Sequence, residues 1–238
     1  MTTWLICIAA AFLAGSIPFG VIIARSRGVD IRKEGSGNIG ATNVGRVVGS
    51  TWGRLCFALD LLKGALPVLI AGIIQSTFGS KFLEMSTEDL WGWTVVMTAA
   101  VLGHMFSPWI GFKGGKGVAT AFGGLLAMYN LVTMSAITAL LVWYVVLRAT
   151  KYVSLSSIAA AASLPATFAL YSLSSKPDQV GEELMRAVSS PPFLILALLA
   201  ALVIVRHRGN IARLMKGEEP KIQGMKRRGE IVSEPPEH

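Results

Sequence analysis

The sequence predicts an all-α integral membrane protein with seven transmembrane helices, one or two of them short, in a single polytopic domain over residues 1–238. Hydrophobic residues make up 53% of the chain, the mean hydropathy is +0.57, and only 15% of residues are charged. Soluble domains carry about 25% charged residues. Several apolar stretches approach the roughly 20 residues that span a bilayer, and basic residues collect in alternate connections, as in cytoplasmic loops.

Five of the predicted helices follow directly from apolar runs. The first, residues 3–24, is long enough to remain as an anchor and lacks the basic start and cleavage site of a signal peptide. It contains Pro18, which predicts a kink. The other four are the runs at residues 51–75, 90–105, 153–173 and 192–205.

The apolar block between Lys116 and Arg148 is divided into two crossings by the charges around it. Of the 22 basic residues, 18 fall in four segments that the positive-inside rule places in the cytoplasm, namely residues 25–54, 113–116, 148–151 and 206–228. A block of about 30 residues is too short for two full spans, so we expect a short helix and a turn near residue 130. The N-terminus is then outside and the C-terminus inside, with a short basic tail from about residue 206. Hydrophobicity alone also allows six helices.

The net charge and the rarer residues limit the classes of function. The charge of +8 would suggest nucleic acid in a soluble protein, but cytoplasmic loops account for most of it here. Cys7 and Cys56 lie in apolar runs and are expected to be buried free thiols. The three histidines show no ligand spacing, so we expect no metal site. We also expect no cofactor and no obligate protein partner.

The most informative polar segment is GSGNIGATNVGR at residues 35–46. Its glycines expose backbone N–H groups and Arg46 adds a planar cation, a combination that favours a phosphate or another oxyanion. The segment also fits G-x-G-x-x-G, but a dinucleotide fold needs a preceding β-strand, and transmembrane helices flank this one. A plain flexible loop is the alternative. Against it stand the hydrogen-bonding side chains between the glycines: Ser36, Asn38, Thr42, Asn43 and Arg46.

A second segment, GFKGGKGVAT at residues 111–120, combines two lysines with four glycines. It is not a nucleotide-binding P-loop, because Gly117 follows Lys116 where a Ser or Thr would hold magnesium. Glycines before a helix N-terminus form an anion site, although the lysines could merely mark topology. The candidate binding residues are Lys113, Gly114, Gly115, Lys116, Gly117 and Thr120.

A third segment, RHRGNIARLMKGEEP at residues 206–220, follows the last helix. Basic residues at a membrane exit often contact lipid headgroups. That does not explain His207 and Asn210, which would share a face if the helix continued. Ser154, at the start of another helix on the same side, could cap that helix or reach a ligand.

Three polar residues inside predicted helices have simpler interpretations. Asp60 and Lys63, three apart in the second helix, are expected to form an ion pair facing the bundle, with a supporting role at the site as the alternative. His104, near a helix end, is expected to be a packed histidine, with base or ligand as the rarer alternatives.

In this order and on one predicted side, residues 35–46, 111–120 and 207–220 resemble the three signature segments of the bacterial acyl-phosphate:glycerol-3-phosphate acyltransferases, the PlsY family. The resemblance covers nearly the whole chain, including DLLKG at residues 60–64. It implies seven transmembrane helices in the bacterial plasma (inner) membrane, a periplasmic N-terminus and a cytoplasmic active site. It further implies transfer of a fatty acyl group from acyl phosphate to the 1-hydroxyl of sn-glycerol 3-phosphate. The products are lysophosphatidic acid and phosphate, which opens phospholipid synthesis.

The resemblance also assigns roles to the candidate residues. Catalysis is expected of Ser36, Arg46, His207 and Asn210. Substrate binding is expected of Asn38, Thr42, Asn43, Lys113, Gly114, Gly115, Lys116, Gly117, Thr120 and Ser154. Glu219 is expected to be structural. The expected partners are acyl phosphate, sn-glycerol 3-phosphate and membrane lipids.

The residues agree with this chemistry. Two phosphate-bearing reactants need two anion-binding centres, and an acyl phosphate is already activated, so no covalent nucleophile is required. Neither His104 nor His207 begins an H-x-x-x-x-D pair, which argues against acyltransferases that use acyl-CoA through that dyad. We expect direct attack, with the base either His207 or, preferably, a phosphate oxygen of the donor. The alternative function is a transporter of a phosphorylated metabolite, although we find no internal repeat.

Overall fold

The computed structural model describes residues 1–173 and 179–222, and every regular element within them is helical. Two 3₁₀ turns, Phe82–Glu84 and Pro108–Ile110, accompany the α-helices. The predicted basic cluster at residues 226–228 lies outside the described residues. The α-helices are α1 (Thr2–Ser16), α2 (Phe19–Arg25), α3 (Ala41–Val47), α4 (Ser50–Ile74), α5 (Thr87–Met105), α6 (Val118–Ala127), α7 (Thr133–Thr150), α8 (Val153–Ser172), α9 (Val180–Val188), α10 (Pro191–Arg206) and α11 (Arg208–Met215).

Most of these helices form stretches that are long and apolar enough to cross a membrane. Five qualify alone: Thr2–Arg25, Ser50–Ile74, Thr87–Ile110, Thr133–Thr150 and Val153–Ser172. The α9–α10 pair, bent by 56°, forms a sixth candidate. The ten-residue α6 is about 15 Å long, half of the hydrocarbon thickness. The predicted all-helical membrane architecture is confirmed, and the short helix and the turn near residue 130 lie where the charges placed them.

The first predicted helix is broken, not merely kinked. α1 ends at Ser16 and α2 begins at Phe19 because Pro18 lacks the N–H that would continue the helix. Carbonyl groups freed by a break in a membrane helix need other donors. The Ser107 hydroxyl donates to the carbonyl of Ser16 (2.6 Å), and the Lys63 ammonium donates to that of Ile17 (2.7 Å).

Two helices were not expected from the sequence. α3 occupies the second half of the first polar segment, where we expected a loop. Its Gly45 packs so closely on α4 that a Cβ placed on Gly53 would lie 2.6 Å from the Gly45 Cα atom, so a tertiary contact stabilises this helix. α9 is a short amphipathic helix after a polar connection, and its nine residues are too few for a clear periodic signal.

Glycines bring the central helices into direct contact. α5 is the most buried of the candidate spans and α7 is the least. A Cβ on Gly15 of α1 would lie 2.1 Å from the carbonyl oxygen of Ala100 in α5. A Cβ on Gly64 of α4 would lie 2.0 Å from the carbonyl oxygen of Thr120 in α6. Small residues at these crossings let the backbones approach closely, as is usual between membrane helices.

The connections gather at two opposite ends of the bundle. At one end the amino group of Met1 pairs with Glu88 at 3.0 Å, and the Asn130 side chain donates to the carbonyl of Gly79 at 2.8 Å. The other end holds the first turns of α4 and α8 and the last turns of α5, α7 and α10. We call it the site end, because all three predicted polar segments lie there.

Substituting Gly64 by Ala is expected to destabilise the bundle. The added methyl group meets the Thr120 backbone, which cannot move aside as a flexible side chain could. We expect a cost of about 1–3 kcal/mol, visible as a lower thermal unfolding midpoint in detergent. Gly181→Ala is the matched control, because nothing lies within 4 Å of the new Cβ. Equal unfolding midpoints for the two variants would contradict the packing described here.

Candidate active site

The second and third polar segments meet in one hydrogen-bond network at the site end. The Lys116 ammonium donates to Oδ1 of Asn210. The Asn210 amide nitrogen donates to Oε1 of Glu219 at 2.6 Å, and the Ser154 hydroxyl donates to the same oxygen at 2.7 Å. Nε of Arg213 donates to Oε2 of Glu219 at 2.8 Å. The network therefore joins the start of α6, the start of α8 and the chain after α10.

Glu219 is the shared acceptor of this network. Burial alone would raise the pKa of its carboxyl group, but hydrogen bonds from Asn210, Ser154 and Arg213 outweigh burial and hold the pKa below its usual range. The carboxylate is therefore ionised at neutral pH. Because the Glu219 carboxylate accepts from the amide nitrogen of Asn210, the amide oxygen of Asn210 faces Lys116. This geometry fits the structural role expected for Glu219.

Lys116 supplies a half-buried positive charge. Burial lowers the pKa of its ammonium group to about 8; Glu219 opposes this shift, whereas Arg213 and Arg206 add to it. The group is still protonated at neutral pH. Its hydrogen-bond partner, the Asn210 amide, is neutral, so an anion would find the charge of Lys116 uncompensated by direct contact.

The peptide groups of Gly114 and Gly115 are already hydrogen-bonded within the protein. Their N–H groups donate to the carbonyls of Met105 and His104, each at 3.1 Å. Their carbonyls accept from the Arg206 guanidinium at 2.7 and 3.0 Å. These glycines were expected to contribute to an anion site, and their N–H groups close the C-terminal end of α5.

The unsatisfied N–H groups lie further along, in the first turn of α6. Gly117 precedes this helix with φ of +79°, a conformation that other residues rarely adopt. The first N–H groups of a helix lack intrahelical partners, and the helix dipole adds partial positive charge there. In the same turn the hydroxyl of Thr120 is fully buried, and no hydrogen-bond partner for it occurs among the described residues. An anion at this helix start is therefore favoured.

The first polar segment is organised by one buried side chain, Asn43. Its Oδ1 accepts from the backbone N–H of Ser36 at 2.9 Å. Its amide nitrogen donates to the carbonyls of Glu34 at 3.0 Å and Asn38 at 2.9 Å. Asn38 in turn accepts from the N–H of Gly40 at 3.1 Å. Both asparagines serve the segment itself, so their expected contact with substrate would need these bonds to open.

The other predicted residues of this segment face outward. The side chains of Ser36, Thr42 and Arg46 are exposed at the site end, as is Lys113 in the second segment. Across residues 1–173 and 179–222 no hydrogen bond joins the first segment directly to the Lys116 network. The structure thus groups the second and third segments with Ser154, whereas the first segment forms a separate group of residues.

His207 lies at a break between two helices, and the expectation of a continuing helix through Asn210 is wrong. α10 ends at Arg206 and α11 begins at Arg208. Glycine and asparagine follow the break, and both have low helix propensity. The ring Nδ1 of His207 lies 2.7 Å from the Val203 carbonyl, so Nδ1 carries the proton and Nε2 is the unprotonated nitrogen.

Burial and, to a smaller extent, the nearby charge of Lys116 together lower the pKa of His207 to about 4. The imidazole is therefore neutral at physiological pH, and it is a weak base. Both His207 and Asn210 are buried, at 3% and 7% exposure, so His207 beside the network and Asn210 within it are both shielded from bulk water.

Sequence reasoning missed Arg206 and Arg213 as site residues. Arg206 holds the two glycine carbonyls and Arg213 holds Glu219. Arg213 could have been found, because it lies three residues after Asn210 on a helix. The partner of Arg206 is 91 residues away in sequence, and no local pattern indicates such a contact.

Comparisons with known proteins agree with this architecture. The family model described as "Glycerol-3-phosphate acyltransferase" matches residues 5–217. A relative of that name from Geobacter sulfurreducens is 41% identical over 223 residues, covering 94% of this chain and all of the relative. The chain belongs to the glycerol-3-phosphate acyltransferase family. A second relative, from Aquifex aeolicus, is 43% identical over 209 residues, covering 88% of this chain and 94% of its own.

Solved structures of the same family share the fold. The crystal structure of PlsY (YgiH), described as an integral membrane glycerol 3-phosphate acyltransferase in its glycerol 3-phosphate form, has a TM-score of 0.76 and 39% identity. It covers 92% of this chain and 96% of that chain. The lysophosphatidic acid form of PlsY gives a TM-score of 0.72 at the same identity, covering 92% and 95%. The family inferred from the three signature segments is confirmed.

Anion binding beside Lys116 is expected to weaken at alkaline pH. The pKa of about 8 means that the lysine loses its charge as the pH rises through that value. Sulfate is a suitable probe, because its charge is constant over this range. We expect its dissociation constant, measured by calorimetry in detergent, to rise about tenfold between pH 7 and 9.5.

Lys116→Arg is the matched control for this titration. A guanidinium stays charged up to a pH of about 12, so the dissociation constant of this variant should stay nearly constant with pH. A parallel rise in both proteins would assign the pH dependence to another group.

Proposed function

We propose that this protein transfers a fatty acyl group from acyl phosphate to the 1-hydroxyl of sn-glycerol 3-phosphate, releasing lysophosphatidic acid and inorganic phosphate. This is the first acylation of phospholipid synthesis. The observation that carries the proposal is the network of Lys116, Asn210 and Glu219, set at the start of α6 in a member of this family. The glycerol 3-phosphate and lysophosphatidic acid named for the PlsY structures are a substrate and a product of this reaction.

Two anion centres serve the two phosphate-bearing substrates. Lys116, Lys113 and the N–H groups at the start of α6 form one centre. Arg46, with the hydroxyls of Ser36 and Thr42, forms the other. The first centre combines a half-buried ammonium group with a helix N-terminus, and such charge-assisted contacts are the strong ones in binding phosphate. Holding both substrates orients the hydroxyl against the acyl carbon, which supplies much of the acceleration.

The acyl transfer needs no group covalently bound to the enzyme. The 1-hydroxyl oxygen attacks the acyl carbonyl carbon, the bond from that carbon to the phosphate oxygen breaks, and inorganic phosphate leaves. The hydroxyl proton passes to an oxygen of the departing phosphate. Lys116 and Arg46 stabilise the charge that develops on the oxygens. The low pKa of His207 supports this route, because a neutral histidine with a pKa of about 4 is a poor general base.

The site end faces the cytoplasm of the bacterium in this proposal. The chain crosses the plasma membrane seven times, with the short α6 as the fourth crossing and α9–α10 as the last. The N-terminus is then periplasmic and the C-terminus cytoplasmic. Charge supports this orientation: the described residues of the opposite end contribute only Lys81 and Arg186 as basic residues, whereas the site end is rich in them.

Purified protein in detergent is expected to form one phosphate per lysophosphatidic acid from acyl phosphate and glycerol 3-phosphate, and no product from acyl-CoA. Arg46→Gln should lower kcat/KM at least tenfold, because it removes a charge-assisted contact. The exposed Arg54 at the start of α4 gives the control, and Arg54→Gln should stay within about twofold. Absence of product from the wild-type protein, with phosphate compounds moved between compartments of vesicles, would favour a transporter instead.

His207→Ala is expected to slow turnover without abolishing it. If the donor phosphate accepts the proton, removing the imidazole disturbs the packing beside Lys116 but leaves the base in place. Turnover and the binding of both substrates should be measured together, since a loss of binding would lower turnover for a different reason. Abolished turnover with intact binding of both substrates would identify His207 as the base.

A further inference from the structure

A buried ionic cluster lies beneath the site and takes no part in the reaction proposed above. It consists of Asp60 and Lys63 in α4 and His104 in α5, which are 3%, 6% and 4% exposed. The Asp60 carboxylate lies 2.8 Å from the Lys63 ammonium and 3.6 Å from Nδ1 of His104. The expected ion pair and packed histidine are both present. Ionic groups inside a membrane bundle are costly, so their placement calls for a physical reason.

One side of the cluster contacts the first polar segment and the helix break that precedes it. Lys63 donates to the carbonyl of Ile17, at the break where α2 begins. α2 then leads into residues 35–46. The packing is close, because a Cβ on Gly20 of α2 would lie 1.7 Å from the carbonyl oxygen of Ile39. The thiol of Cys56 donates to Asp60 at 3.7 Å and lies 4.0 Å from that same carbonyl oxygen.

The other side of the cluster holds the second polar segment. The His104 ring lies directly under Gly115, where a Cβ would be 2.2 Å from Nε2. The His104 carbonyl also accepts the Gly115 N–H. Arg206 holds the same peptide through its carbonyl oxygen. The position of the Gly115 peptide therefore depends on the orientation of the His104 ring beside Asp60. The position of the next residue, Lys116, depends on it in turn.

We propose that the cluster of Asp60, Lys63 and His104 is a positioning unit that fixes the two anion centres relative to each other. Each centre has its own internal hydrogen bonds, whereas the described polar contacts that lead from one segment to the other run through this cluster. Apolar packing of Ile110 with the group that includes Ile39 and Val44 accompanies them. The inference rests on the proposed function, because the distance between the centres matters only if two substrates react across it. Losing the cluster should misalign bound substrates more than it weakens the binding of either one.

The first experiment separates kcat from KM in the full-length enzyme. Asp60→Asn keeps the size of the side chain and removes its charge. We expect kcat per folded molecule to fall about 10- to 100-fold, while KM for each substrate changes by less than about threefold. Thr98→Val, at a buried position in α5 six residues before His104, is the control and should keep both constants. A wild-type kcat per folded molecule in Asp60→Asn would overturn the proposal.

A double variant distinguishes positioning from simple stability. Asp60→Asn alone leaves the Lys63 charge buried without its partner, and the unfolding midpoint should fall. Asp60→Asn combined with Lys63→Met removes both charges, so much of the stability should return. If the cluster positions the centres, kcat stays low in the double variant. Recovery of kcat together with the unfolding midpoint would show that the pair only avoids an unpaired charge.

A distance measurement keeps this inference separate from the proposed reaction. Spin labels are placed at two exposed positions, Lys33 just before the first segment and Phe112 within the second. The background is Cys7→Ser, which leaves Cys56 buried. Asp60→Asn should broaden or shift the distance distribution, and Thr98→Val should not. If wild-type protein forms no lysophosphatidic acid, the proposed function fails, whereas an unchanged distance distribution in Asp60→Asn refutes the positioning role regardless of activity.

Discussion

The carboxylate of Glu219 is the single acceptor on which the arrangement of the site depends. It receives hydrogen bonds from Ser154, Asn210 and Arg213, which belong to α8 and α11. Just beyond it, the N–H of Ile222 donates to the Lys151 carbonyl at 2.8 Å and ties the chain to the α7–α8 turn. Charge-assisted hydrogen bonds are about twice as strong as neutral ones. Removing this acceptor would leave buried donors unpaired, so the Asn210 amide would lose its fixed orientation towards Lys116.

The glycines around Lys116 matter because they lack side chains. Gly114 and Gly115 use their own N–H groups to close α5, and the absence of a side chain at Gly115 makes room for the His104 ring. The capacity to attract an anion therefore falls to Lys116 and the first turn of α6. A glycine-rich sequence can thus favour an anion site through its neighbouring residues while the glycines themselves serve packing.

The sequence predicts the spans well because their signals are local. Hydropathy locates the long helices, Pro18 marks the break in the first, and the charges at residues 113–116 and 148–151 divide the central block. The three polar segments and Ser154 are also readable from composition and resemblance. The features that the sequence does not predict depend on contacts between residues that are far apart in the chain. α3 is held by Gly53, the helix break at His207 accompanies the attraction of Asn210 to Glu219, and Arg206 finds its partner 91 residues away.

The contact between Gly64 and Thr120 also sets how deep the chemistry lies. α6 begins beside the middle of α4, 14 residues after α4 starts at Ser50, a rise of about 21 Å along that helix. The anion centre at the start of α6 therefore lies well below the level at which α4 starts. Under the proposed function, a water-soluble reactant reaches this depth only by shedding part of its hydration. Under the same proposal, the fatty chain of the donor stays within the hydrocarbon throughout the transfer.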